Sequence, residues 1–190
     1  MTQITRCAWP ENDARMIKYH DEVWGVPVKD DQTLFAKLSL DLMQAGLMWR
    51  TILYKWDNFY SAFDNFNIET VSKYNQDKHD LLMQDKGIVR NRLKITAIIN
   101  NASRILEVQK EFGSFSNYIW GFVDNKPIKN NFKSLDEIPA KTPLSDKISK
   151  DLLKRGFKFV GSTIIYAWLQ AVGVVNDHMI DCFRYNEVKT

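Results

Sequence analysis

The only two cysteines, Cys7 and Cys182, stand near opposite ends of a 190-residue chain, and each has a histidine not far away, His20 and His178. Two thiolates and two imidazoles are the donor set of a tetrahedral zinc site, and a zinc held entirely by protein is structural rather than catalytic. Such a site would pin the N-terminal segment to the C-terminal one. His178 and Cys182 are four apart, which predicts one shared face of a helix. The competing readings are a disulfide and two buried free thiols. A disulfide requires an oxidising compartment, and the chain opens without a charged n-region and apolar h-region, so a cytoplasmic location is expected. The spacing matches no standard zinc finger, so on chemistry alone zinc and buried thiols both stand.

A chain of this length is one domain or a tightly fused pair, with room for a substantial core. The expectation is one compact helical unit over residues 1–190. The longest weakly polar stretch, 160–175, contains Ser162, Thr163 and Gln170 and is shorter than the roughly 20 residues of a membrane span. It reads as a buried helix, and no membrane partner is expected. A net charge of +3 permits nucleic-acid binding without arguing for it, so local clustering has to carry that case.

Helical periodicity runs through almost every long segment. Asp31 or Thr33 is placed to cap a helix with the stripe Leu34, Phe35, Leu38, Leu42 and Ala45. Further helices are expected over 56–63, 77–84, 91–106 and 115–122, and a mostly loop segment over 124–143. Ser145 caps the next helix, which ends at Gly156 with Lys154 and Arg155 in its last turn. No strand-length alternation appears, so the expected class is all-α.

Three places carry chemistry. Residues 83–97, MQDKGIVRNRLKITA, read as helix, glycine turn and helix, with Lys86, Arg90, Arg92 and Lys94 crowded around Gly87. That resembles a helix-hairpin-helix, which offers amides and cations to a phosphate backbone; an αα-corner with a solvated basic face is the alternative. Asp41 lies at the edge of an apolar stripe, where a carboxylate is costly unless partnered or employed. Lys37, one turn earlier, offers a weak surface pair, while Trp49 offers a pocket for a flat cationic ring. Trp9 and Tyr19 sit two residues and one residue from Cys7 and His20, so a metal there would fix both aromatics. The chain lacks a phosphate-binding glycine loop, a Ser-His-Asp signature and a two-metal carboxylate cluster.

RCAW at 6–9, YHDEVWGVP at 19–27, QAGLMW at 44–49, GIVRNRLKITAIINNA at 87–102, GFKFVGSTI at 156–164 and VNDHMIDC at 175–182 resemble the bacterial 3-methyladenine DNA glycosylase I family, in order and over nearly the whole chain. The resemblance implies an all-α, helix-hairpin-helix glycosylase fold with structural zinc on Cys7, His20, His178 and Cys182. It implies an enzyme that binds double-stranded DNA, flips out an alkylated purine and releases free 3-methyladenine; no lysine is evident as a Schiff-base nucleophile, so a monofunctional activity is expected, and so is a monomer. Trp9 and Trp49 match the stacking aromatics, Trp24 another pocket aromatic, and Tyr19 the tyrosine at the base edge. Lys86, Gly87, Arg90, Arg92 and Lys94 fall on the DNA-binding hairpin.

One match fails. The family pattern reads approximately Leu-Glu-Gly/Ser-Gln-x-Ala-Gly-Leu-Ser-Trp, where this chain has Leu40-Asp41-Leu42-Met43-Gln44-Ala45-Gly46-Leu47-Met48-Trp49. Asp41 is a methylene short of the glutamate, and Leu42 and Met43 add bulk expected to refill or narrow the pocket. Three classes follow: an alkylpurine glycosylase, a paralogue that binds damaged DNA without cutting it, and a zinc-stabilised helical protein with another partner.

Overall fold

The apolar periodicity becomes helices throughout residues 4–188, the part that the computed structural model describes. In order these are α1 (Ala14–Glu22), α2 (Asp31–Gln44), α3 (Trp49–Tyr54), α4 (Trp56–Ala62), α5 (Ile68–Ser72) and α6 (Gln76–Gln84). There follow α7 (Arg92–Phe112), α8 (Phe115–Trp120), α9 (Pro143–Lys154), α10 (Ser162–Ala171) and α11 (Arg184–Glu187). Among the described residues the one departure from a helical fold is a minimal parallel pair, β1 (Ile128–Lys129) against β2 (Val175–Asn176), with Ile128 opposite Val175. It fastens the 124–143 loop beside the C-terminal segment.

Two helix starts differ from expectation. Asp30, not Asp31 or Thr33, caps α2, its carboxylate accepting from the Thr33 amide at 2.7 Å. Asp31 is thereby free to reach across to α8, where it accepts from the Phe115 and Ser116 amides at 2.8 and 2.7 Å. Likewise Thr142 caps α9, and Ser145 is the third residue of a reciprocal capping box; the proline at the first helical position shifts the start upstream.

Helix α2 runs through the middle of the molecule. Leu34 to Met43 are all buried, because apolar residues occur almost all round it rather than on one stripe. Trp168 on α10 donates its indole N–H to the Leu34 carbonyl at 3.1 Å, and Trp120 on α8 donates to Val28 at 2.7 Å. The large core lies between α2, α5, α7, α8, α9 and α10. A smaller cluster gathers Cys7, Met16, Tyr19, Trp24, Leu53, Ala171, Met179 and Cys182. Trp49, Trp56 and Ile138 pack against both clusters, and the chemistry-bearing residues collect there. No helix among the described residues is long and apolar enough to cross a membrane.

Candidate active site and metal centre

The four metal-ligand candidates converge. Their ligand atoms all lie within 4.8 Å of one another and all four residues are buried. Cys7 Sγ is 3.7 Å from His178 Nδ1, and Cys182 Sγ is 3.6 Å from that same nitrogen and 3.5 Å from His20 Nε2. A tetrahedron with zinc–sulfur and zinc–nitrogen bonds of ordinary length has sulfur–nitrogen edges of about 3.6 Å. The other nitrogen of each ring is already engaged, His20 Nδ1 with Asp21 Oδ1 at 2.7 Å and His178 Nε2 with the Trp24 carbonyl at 3.3 Å. These bonds set the tautomers so that a lone pair on each ring faces the centre. Arg6 in turn grips Asp21 through both oxygens, and the Met179 amide donates to Cys7 Sγ at 3.4 Å. Hydrogen bonding from Cys7, then from His178 and His20, pulls the Cys182 thiol well below its ordinary range. The donor set and its surroundings fit a tetrahedral zinc.

At this site one competing reading falls and one expectation changes. The cysteines are unlinked, so the disulfide reading falls. His178 and Cys182 meet across a turn rather than on a helix, with the Cys182 amide bonded to the Met179 carbonyl at 2.9 Å. Gly25 closes the arrangement: its backbone lies at φ +78°, and a Cβ there would stand 2.9 Å from His178 Nε2. No larger residue fits without displacing the imidazole.

Beside the Cys/His cluster lies a cavity of about 350 Å³ whose wall includes Trp9, Tyr19, Trp24, Asp41 and Trp49. All five sequence-predicted pocket residues therefore meet. Trp9 contacts Trp24 edge-on with centroids 5.3 Å apart and Tyr19 at 6.3 Å, while Tyr19 meets Trp49 at 5.1 Å. The Cys/His cluster braces this wall through Cys7, His20 and the Trp24 carbonyl. Burial raises the Tyr19 phenol well above its usual range, with the nearby Asp41 adding to the rise.

Asp41 is 5% exposed, and its Oδ2 has no hydrogen-bond partner. Burial pushes its carboxyl up to about 8, a rise that Lys37 opposes. Lys37 is not the surface partner that helical spacing suggested. It is buried, and its Nζ donates to the Val23 and Ala171 carbonyls at 3.1 and 2.7 Å, while burial brings it down to about 8. The pocket thus presents one unsatisfied carboxylate beside electron-rich aromatic faces. Leu42 and Met43 do not narrow it, because both are fully buried in the large core and neither lines the cavity.

Sequence reasoning missed the rest of the wall, including Gln44, Gln170, Leu135 and Ile138. Gln170 had a signal: it is a polar residue in an apolar run. Leu135 and Ile138 had none, since loop apolars follow no period.

The basic hairpin divides. Lys86, Arg90 and Arg92 are exposed around the turn between α6 and α7. Lys94 is corrected: it is 6% exposed, and its Nζ donates to the Met43 and Ala45 carbonyls at 2.9 and 2.6 Å, capping the C-terminus of α2. Gly87 packs tightly, its amide donating to Asp85 Oδ1 at 2.7 Å and its carbonyl accepting from Lys55 Nζ at 3.1 Å. A Cβ there would stand 2.9 Å from Asp85 Oδ1 and 3.2 Å from Asn58 Cβ.

The chain is similar to known proteins over nearly its whole length. A family model described as methyladenine glycosylase matches residues 9–185. The chain is 43% identical over 182 residues to DNA-3-methyladenine glycosylase 1 of Escherichia coli K12, covering 96% of this chain and 97% of the relative. It is 43% identical over 178 residues to the DNA-3-methyladenine glycosylase of Haemophilus influenzae, covering 94% and 96%. A structure of 3-methyladenine DNA glycosylase I from Staphylococcus aureus, described as giving the basis of 3-methyladenine recognition, superposes with a TM-score of 0.91 at 34% identity, covering 97% of each chain. A tyrosine-to-phenylalanine variant of such an enzyme in complex with 3-methyladenine superposes at 0.93 with 34% identity, covering 97% and 99%.

Proposed function

The chain belongs to the methyladenine glycosylase family, and on that premise we propose that the aromatic cavity beside the metal cluster receives a flipped 3-methyladenine and holds it against Asp41. The protein is a base-excision repair glycosylase, a hydrolase of the N-glycosidic bond of 3-methyladenine in DNA. The observation that carries the assignment to this pocket is the unpartnered Asp41 carboxylate inside a wall of three indoles and a phenol.

An N3-alkylated adenine carries positive charge, and its glycosidic bond is already weakened. Trp9 and Trp49 stack on the cationic ring. Asp41 accepts from the base edge, and Tyr19 supplies a second polar contact. Because aspartate is shorter than glutamate, its contact to the base runs through water. When the glycosidic bond breaks, its electron pair leaves with the base and neutralises it. Water then adds to the oxocarbenium-like sugar carbon and loses a proton. Among the described residues no lysine lines the cavity, which supports hydrolysis without a Schiff base or strand cleavage.

Zinc, held by Cys7, His20, His178 and Cys182, supplies structure rather than chemistry. Lys86, Arg90, Arg92 and the Gly87 turn face the phosphates of duplex DNA as a helix-hairpin-helix. The chain acts as a monomer, one compact helical unit, in the cytoplasm where that DNA lies. The deciding experiment is release of free 3-methyladenine from methylated duplex DNA. Release by wild type supports the reading; binding to alkylated DNA without any release would make this a damage-binding paralogue.

A further inference from the structure

Gln170 lines the cavity from the last turn of α10, and three observations determine which end of its amide points inward. Its backbone is fixed, since its carbonyl accepts from the Gly25 and Gly173 amides at 3.1 and 3.2 Å. Its Nε2 donates to Asp177 Oδ2 at 2.7 Å. Asp177 is 1% exposed and also receives the Tyr166 hydroxyl on Oδ2 and Asn130 Nδ2 on Oδ1, the latter at 2.6 Å. Each of these hydrogen-bond partners donates to the carboxylate. A glutamine amide turned the other way would set carbonyl oxygen against carboxylate oxygen, so the NH2 group stays on Asp177 and Oε1 is left for the cavity.

We propose that Gln170 determines base specificity: its Oε1, oriented by Asp177, accepts a hydrogen bond from the exocyclic amine of an adenine-type base and opposes a guanine-type base. The two purines differ at that position in sign. Adenine offers an N–H donor at the 6-position, whereas guanine offers a carbonyl acceptor. An acceptor fixed in the wall therefore rewards the first and leaves the second facing oxygen. A site built around a hydrogen bond discriminates more strongly than an apolar wall, because the wrong base strands a buried polar group. Asp177 acts only through Gln170 and is a positioning residue. It also precedes His178, so the chain segment that places a metal ligand places the glutamine's anchor as well.

This inference rests on the base-binding reading of the pocket, and its test keeps the two apart. Free 3-methyladenine and 3-methylguanine are titrated separately against the full chain, with tryptophan fluorescence as the signal. Wild type should bind the adenine base more tightly. Gln170→Met, close in volume but without the acceptor, should weaken 3-methyladenine binding by about tenfold and collapse the adenine-to-guanine ratio. Asp177→Asn keeps Gln170 yet allows its amide to turn, and should shrink the ratio in the same direction. A merely structural role would weaken both bases together and leave the ratio where it was. Thermal melts identify any variant that fails to fold, and if Asp177→Asn does, Gln170→Met alone decides. An unchanged ratio in folded Gln170→Met overturns the inference while 3-methyladenine binding stands. Binding of neither base by wild type overturns the pocket reading itself, and the inference with it.

Discussion

Asp41 carries a stability cost, and the proposed role in the pocket is what would offset it. Its folded-state pKa of about 8 lies above the value near 4 of an unfolded chain. Between those values the native state holds a proton that the unfolded chain has given up, so rising pH disfavours the fold from about pH 4 up to about 8. Asp41→Asn should therefore raise the melting temperature by a few degrees at pH 8 and change it little at pH 4. The same substitution should lower base release by roughly ten- to a hundredfold, the rate equivalent of one charged hydrogen bond. Asp41→Glu restores the reach of the longer side chain and should increase release. Excision by wild type should climb between pH 6 and 8 as the carboxylate ionises to face the cationic base, and Asp41→Asn should flatten that climb. An active enzyme indifferent to Asp41→Asn at every pH would remove Asp41 from the mechanism. The helical wheel made Asp41 legible as a carboxylate out of place. It misplaced Lys37, because spacing reports neighbours along one helix and is silent about carbonyls arriving from α10 and the segment after α1. The apolar residues all round α2 were the available sign that even its charged side chains would be buried.

At the scale of elements, α6 and α7 make the hairpin, and the exposed and buried cations on it should behave differently. Replacing Arg90 and Arg92 together with Ala should weaken binding to duplexes of any sequence and flatten the salt dependence by up to about one log–log unit per lost contact. Lys94→Met should leave that slope unchanged. It should instead destabilise the fold by about 1–3 kcal/mol, since two carbonyls at the end of α2 lose their charged donor. Salt-titrated binding beside thermal melts separates the two effects, and a slope change from Lys94→Met would return it to the DNA face. The long helices were readable from period alone. Short α3, α5 and α11 were not, because so few turns carry no detectable period. The same limit explains the His178–Cys182 turn: two residues four apart fit a helix or a tight reversal equally well, and the contacts that chose the reversal come from the other end of the chain.

Across the whole molecule the Cys/His cluster is also the frame of the pocket. Cys7 leads to Trp9, His20 follows Tyr19, His178 takes the Trp24 carbonyl, and Asp177 beside it holds Gln170. That coupling was only partly legible, since spacing linked Trp9 and Tyr19 to their ligands but nothing in it linked Trp24 or Gln170 to His178. Zinc loss should thus disturb the cavity before the large core, whose Trp120 and Trp168 staples attach to Val28 and Leu34 rather than to the ligands. Elemental analysis of protein purified without chelator should give one zinc per chain. Sites of this type contribute roughly 10 kcal/mol to folding at neutral pH, so Cys182→Ala or a strong chelator should lower the melting temperature sharply. Under mild chelation, 3-methyladenine binding should fail while most helical signal by circular dichroism persists. Affinity for the metal should fall as pH drops, because protons compete for the thiolates and imidazoles. Metal-free protein with an unaltered melt and intact base binding would reduce the four residues to buried thiols and core histidines.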